Sequence, residues 1–261
     1  MRALALALTV IPALAYADHD HHGMDMSAEP TDASSFNASV ALVAASYDPS
    51  QSDNMFYGGS YEGVKVGVGW TEGRFGVGAG WAYYRLLRNG STGYGFGDAM
   101  ASGQVTLVSN DRGAAGLVAM VSLPTGEELT GIGMGHAMAM PALWGSWRQD
   151  VVQLIGSAGY SFAMFAPAGH VHGMAPLVDP MNMYEVSWSG GADYLASHDV
   201  RVGGRLSGGI PVGSQPGTDR IIAAGRVAWQ RKPADVGAEV QYGLLGDPFS
   251  IRVVVSTAIT F

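Results

Sequence analysis

The feature that most constrains this chain is an alternation of period two, plainest in its last eleven residues, Ile251–Phe261 (IRVVVSTAITF). Ile251, Val253, Val255, Thr257, Ile259 and Phe261 share one parity, and Arg252, Val254, Ser256, Ala258 and Thr260 share the other. The first set is β-branched and mostly apolar; the second is mostly small or polar and carries an arginine. Two is the repeat of a strand, whose successive side chains point to opposite faces. The pattern recurs upstream. Val64, Val66, Val68 and Trp70 alternate with Gly63, Lys65, Gly67 and Gly69, and Val152, Leu154, Ala158, Tyr160 and Phe162 oppose Gln153, Ser157 and Ser161.

Read in order, the pattern predicts twelve strands: 35–47, 61–70, 74–87, 98–109, 114–123, 136–148, 151–164, 183–196, 200–212, 220–230, 236–245 and 251–261. Shifted boundaries also admit ten or fourteen. Connections alternate between tight turns and longer loops. Asn89–Gly97 (NGSTGYGFG) reads as one such loop, and 165–182 as the longest. An even count, short turns on one side and long loops on the other describe an all-β fold: a transmembrane antiparallel up-and-down β-barrel of about 12 strands. The physical reason is that lipid offers no hydrogen-bond partners, so only a closed sheet satisfies every strand edge. Trp70, Tyr83, Tyr160, Phe162, Trp188, Tyr194 and Trp229 fall near strand ends, where interfacial girdles form. The last strand with its final Phe resembles the closing strand of bacterial outer-membrane barrels.

The beginning fits export. Arg2, the apolar run Ala3–Leu14 and the small-x-small Ala15-Tyr16-Ala17 read as a signal peptide (1–17) cleaved after Ala17. Residues 18–34 read as a disordered, His/Met-rich periplasmic arm, and 35–261 as the barrel. The expected location is the bacterial outer membrane, with outer-membrane lipid as partner and assembly by the barrel-insertion machinery. The absence of cysteine removes disulfides and thiolate metal sites. The formal charge of −8 becomes −9 once Arg2 leaves with the signal, which argues against nucleic acid as a partner.

Parity turns Lys65, Arg148, Arg201, Arg205, Arg226 and Arg252 into the lumen, with Glu185, Asp193 and Glu239. Such residues either fill a closed interior or line a narrow selective pore. Basic residues concentrate in the second half, which favours a small anionic or polar solute over a cation. The expected function is an outer-membrane channel or transporter for small solutes. An enzyme is not expected. Barrel hydrolases need a Ser and a His at the rim, but no Ser neighbours His170 or His172, and an acidic site would find only Asp179 beside His172.

Six of the seven histidines lie in three Met-accompanied patches. The first holds His19, His21, His22, Met24 and Met26; the second Met134, His136, Met138 and Met140; the third His170, His172 and Met174. Thioether with imidazole is a donor set for copper, in particular soft Cu(I). The second and third patches are expected to meet at the extracellular rim. No cofactor is required, and a copper ion or another transition metal is the ligand these clusters would accept. One reading links the channel to such a metal; the alternative is a metal-binding barrel with a plugged lumen that sequesters rather than transports. His198 reads as a solvated turn residue.

Two resemblances follow. Leu123-Pro124-Thr125-Gly126 after a strand, the length, the signal peptide and the terminal aromatic are similar to the MetA-pathway of phenol degradation family, which implies an outer-membrane barrel acting as a transporter. The arm DHHGMDM resembles the His/Met-rich N-terminal region of copper resistance protein B, which implies copper handling. Neither carries over a catalytic residue.

Overall fold

In a computed structural model, the described residues are 31–46, 59–88, 90–127, 130–165, 178, 182–213, 219–246 and 249–261, with the side chains of 31–33 and 165 excepted. They form β1 (Thr31–Ser46), β2 (Ser60–Gly73), β3 (Phe75–Arg88), β4 (Ser91–Phe96), β5 (Ala99–Asn110), β6 (Gly113–Leu123), β7 (Ala137–Gln149), β8 (Val152–Phe165), β9 (Tyr184–Leu195), β10 (Val200–Pro211), β11 (Arg220–Arg231), β12 (Ala234–Leu245) and β13 (Ile251–Thr260). Each strand pairs antiparallel with its neighbours, and β1 pairs with both β2 and β13, which closes the ring. β1 begins at Thr31, earlier than residue 35, with Thr31 opposite Gly73.

Thirteen segments make twelve staves. β4 and β5 run in the same direction along the same edge of β3: Tyr83 faces Phe96, and three residues lower Gly80 faces Met100. They are one stave interrupted at Gly97 and Asp98, where the register slips by one residue. The stretch read from sequence as a loop, Asn89–Gly97, is therefore mostly strand. Arg88 pairs with Ser91, so a two-residue turn joins β3 to β4, with Gly90 at φ 76°. Positive φ suits the primed hairpin turns, and Asn-Gly is the dipeptide that favours them. The turns at the opposite end are also short: Glu72 pairs with Phe75 and Gln149 with Val152.

The first face of the alternation points outward. Phe75, Val77, Leu143, Leu42, Val66 and Val255 are exposed, with Phe75 at 64% and Leu143 at 61%. A continuous apolar band of this extent has a function in soluble proteins only as an interface; around a closed barrel it is the lipid-facing surface. Trp70, Trp147, Tyr194 and Trp229 mark the turn end of the band, and Tyr83, Tyr94 and Tyr160 its loop end. Among the described residues no helix is long and apolar enough to cross a membrane; the strands span it.

The terminal residue seals the seam. Phe261 N–H donates to Phe36 O at 2.9 Å, and the two rings lie 6.1 Å apart.

The barrel interior as candidate functional site

Because the strands tilt, cross-strand neighbours climb around the wall in rows. One row runs Arg148, Gln153, Asp193, Gly203, Arg226 and Glu239 from β7 to β12. The next row towards the loop end runs Gly191, Arg205, Ala224, Gln241, Arg252, Ala45 and Tyr61. A third carries Arg201, Ala228, Gly237, Ser256, Ala41 and Lys65. Lys65, Glu185, Asp193, Arg201, Arg205 and Arg252 are buried; Arg148, Arg226 and Glu239 are half-buried.

The interior is held by charge-assisted bonds. Arg226 grips both oxygens of Asp193, with Nε donating to Oδ1 at 2.9 Å. This bidentate fork is the strongest form of such a pair. Arg201 and Arg205 lie two residues either side of Gly203, which stands directly opposite Asp193. Diagonal neighbours at this offset are within reach of long side chains, so one carboxylate sits among three guanidinium groups. Arg201 also donates to Gln153 Oε1 at 2.7 Å. Nearer the loop end, Arg220 Nη2 donates to the buried Glu185 Oε1 at 2.8 Å, and Asn182 Nδ2 donates to its other oxygen. Glycine makes room for these groups: a Cβ at Gly209 would lie 2.6 Å from the Glu185 carboxylate, and one at Gly191 the same distance from Arg205 Cγ.

Arg252 is the deepest of the basic residues. Its Nε donates to Gln241, its Nη1 lies 3.3 Å from the Tyr61 hydroxyl, and its guanidinium stands 4.1 Å from the centroid of Phe249. The row of Arg205 and Arg252 contains no carboxylate, unlike the rows holding Asp193 and Glu239 on one side and Glu185 further up. Arg220, Gln241, Tyr61 and Phe249 were not among the site residues expected from sequence. Parity with Arg226 and Lys65 would have turned Arg220 and Tyr61 inward; nothing local marks Phe249, which belongs to a loop.

The two ends differ. At the turn end, interior groups such as Ser35, Gln104, Arg148 and Glu239 keep partial access to solvent. At the loop end, Val43, Tyr61, Tyr84, Leu86, Ile132, Val178, Ile222 and Phe249 bury one another in an apolar cap. Tyr61 and Tyr84 meet edge to face at 5.7 Å, and Tyr84 lies over Gly63 and Gly97, where any Cβ would collide with its ring.

Residues 124–127 and 130–136 fold inward, and Ile132 among them joins this cap. At the break between β4 and β5, the Asp98 carboxylate accepts the Gly126 N–H at 2.8 Å on one oxygen and the Met134 N–H at 2.9 Å on the other. Ala99 N–H donates to Thr125 Oγ1 at 2.8 Å, and Glu127 N–H to Phe96 O at 3.0 Å. Leu123–Gly126 is therefore the turn that sends the loop into the barrel.

This changes the position of the second His/Met patch. Met134, His136, Met138 and Met140 were expected at the outer rim. All four are buried inside the barrel: the loop that Asp98 draws in carries Met134 and His136, and β7, which begins at Ala137, turns Met138 and Met140 to its inner face. His19, His21, His22, Met24, Met26, His170, His172 and Met174 lie outside the described residues. Among the described residues no three His, Cys, Asp or Glu side chains converge as a metal site. His198 is exposed in the β9–β10 turn beside Asp199, 2.6 Å away.

No family model matches this chain, and no curated protein does. Solved structures match over nearly its whole length. The chain is similar to an outer-membrane channel from Pseudomonas putida F1 (TM-score 0.65, 8% identity, 91% of this chain and 98% of that one). It is also similar to the KdgM porin solved with disordered oligogalacturonate (0.55, 11%, 87% and 99%). A third likeness is to the translocator domain of the autotransporter NalP from Neisseria meningitidis (0.53, 9%, 88% and 89%). At these identities the likeness is one of fold, and that fold is the transmembrane β-barrel of outer-membrane proteins.

Proposed function

We propose that this protein is an outer-membrane channel for small solutes, selective for anions. The single observation that carries the reading is the excess of guanidinium over carboxylate on this wall: Arg201, Arg205 and Arg226 share the one Asp193 carboxylate, and Arg205 and Arg252 stand, buried, in a row that adds no carboxylate of its own. A solute crossing the barrel passes this row, where Arg252 meets Tyr61 and Phe249 of the apolar cap. In a narrow, low-dielectric passage a fixed positive charge favours anions strongly, since Coulomb energies there exceed those in water several-fold. The polar, partly solvated turn end forms the vestibule, and the cap with the inward-folded residues 130–136 sets the narrowest part. The likeness to porins and channels supports a conducting role, and the lipid-facing band supports residence in the outer membrane.

Liposome swelling tests this with size-matched solutes: a small monocarboxylate, a neutral polyol and an alkylammonium ion. The expected order of entry is anion, neutral, cation. Absence of flux for all three contradicts the channel reading, and fastest entry of the ammonium ion contradicts the role given to Arg205 and Arg252.

A further inference from the structure

The interior opposite the arginines has another chemistry. On β5, β6 and β7 four of the inward side chains towards the loop end are methionines, Met100, Met120, Met138 and Met140. Met120 pairs directly with Met140 across β6 and β7. One row away, Met100 and Met138 flank Ser122 from its two sides. Met134, carried in by the loop, packs on Met120, Met138 and Met140. Directly opposed side chains on a sheet have Cβ atoms about 5 Å apart, and same-face neighbours along a strand stand about 7 Å apart. Flexible thioether chains at such spacings can turn their sulfurs to a common point.

Two buried hydroxyls border the patch. Ser122 Oγ, between Met100 and Met138, has no hydrogen-bond partner among the described residues, and neither has Ser161 Oγ. Ser161 stands on β8 between the pairs Ala139–Phe162 and Ala142–Gly159, level with Met140. Pro141, which lacks an N–H, sits where that ladder is interrupted. A filler role does not account for oxygen atoms buried without partners, since each costs about 1–3 kcal/mol. Leucine would fill the same volume as methionine with fewer rotatable bonds.

We propose that this patch is a binding site for a soft monovalent metal cation of the Cu(I) class, held by the thioethers of Met138, Met140 and Met120, with Met134, and bordered by the Ser122 and Ser161 oxygens. Thioether sulfur selects soft cations over hard ones such as sodium, magnesium and calcium. The Asp98 carboxylate, hydrogen-bonded to the Met134 amide, supplies negative charge on this side of the barrel, away from the arginine rows on β10, β11 and β13. The site is independent of anion conduction.

The test is a titration of the full chain, labelled at methionine methyls with carbon-13 in detergent micelles, with Ag(I) as a redox-inert probe and then with Cu(I) against a competing chelator. Saturable shifts of the Met138 and Met140 methyl signals at one equivalent are expected. The volume-conserving double variant Met138→Leu/Met140→Leu should weaken that site at least about tenfold, a loss of the size seen when support is removed from metal sites, while leaving any response of Met24 and Met26 in place. Met138 and Met140 signals that stay still while Met24 and Met26 move would overturn the proposal, as would a folded double variant with unchanged affinity. Should the double variant fail to fold, as judged by lost heat-modifiable mobility, the wild-type methyl shifts decide alone.

Discussion

Asp98 holds Met134: a carboxylate freed by a one-residue slip between β4 and β5 accepts the Met134 amide at 2.9 Å and the Gly126 amide at 2.8 Å, and so fastens both ends of an inward-folded loop. Each bond is charge-assisted and contributes about 1.5–3 kcal/mol. Asp98→Ala should release the loop. Amide exchange at Gly126 and Met134 is expected to accelerate at least tenfold, while exchange in β12 stays as it is. Unchanged protection at those two amides would show that the loop is held by something else.

The Arg220–Glu185 pair is buried, with Glu185 fully covered. Removing one partner leaves an uncompensated charge, which costs about 3–5 kcal/mol, whereas neutralising both can be close to neutral. Arg220→Met should therefore lower stability by that amount, and Arg220→Met/Glu185→Gln should recover most of it. Denaturant titration of the four-member cycle measures the coupling; additive losses would contradict it.

The Tyr84 ring fills the space above Gly63 at the loop end and meets Tyr61 edge to face. Gly63→Ala should overpack the cap by about 1–3 kcal/mol. The expected readout is a lower temperature for loss of heat-modifiable gel mobility, with Gly73→Ser, at a turn where a Cβ meets nothing within 4 Å, as a separate comparison for its positive φ of 55°.

The outward band should respond to charge by depth. Leu143 lies within β7, and Phe75 opens β3 beside the turn end. Leu143→Arg should cost about 2–4 kcal/mol of folding free energy in a bilayer and Phe75→Arg about 0–1. Equal costs measured by reversible folding into liposomes would mean the band is not set across the membrane as described.

The barrel was legible because period two is a strong signal repeated in strand after strand, and because tight turns such as Gly73-Arg74 and Asp150-Val151 separate its strands. The same parity assigns Arg205 and Arg252 to the interior, where they sit. Three things were not legible. The NGSTGYGFG stretch carries so many glycines that its alternation, Tyr94 and Phe96 against Gly93 and Gly95, reads as loop until β3 is there to pair with it. The slip at Gly97 and Asp98 is a property of pairing, invisible in one strand alone. The inward positions of Gly126 and Met134 depend on Asp98, some thirty residues earlier, so sequence alone puts the second His/Met patch at the rim when it lies inside. Local pattern sets which face a side chain takes; loops and their anchors are set by contacts across the barrel.

We propose that the barrel conducts and that Arg205 and Arg252 set its preference. The most direct measurement is the reversal potential of the purified protein in a planar bilayer under a potassium chloride gradient. Discrete conductance steps are predicted, with a reversal potential of the sign set by chloride, shifting towards the cation side in Arg205→Gln/Arg252→Gln. A bilayer that stays silent at every applied potential, or a wild-type reversal potential of the sign set by potassium, would contradict it.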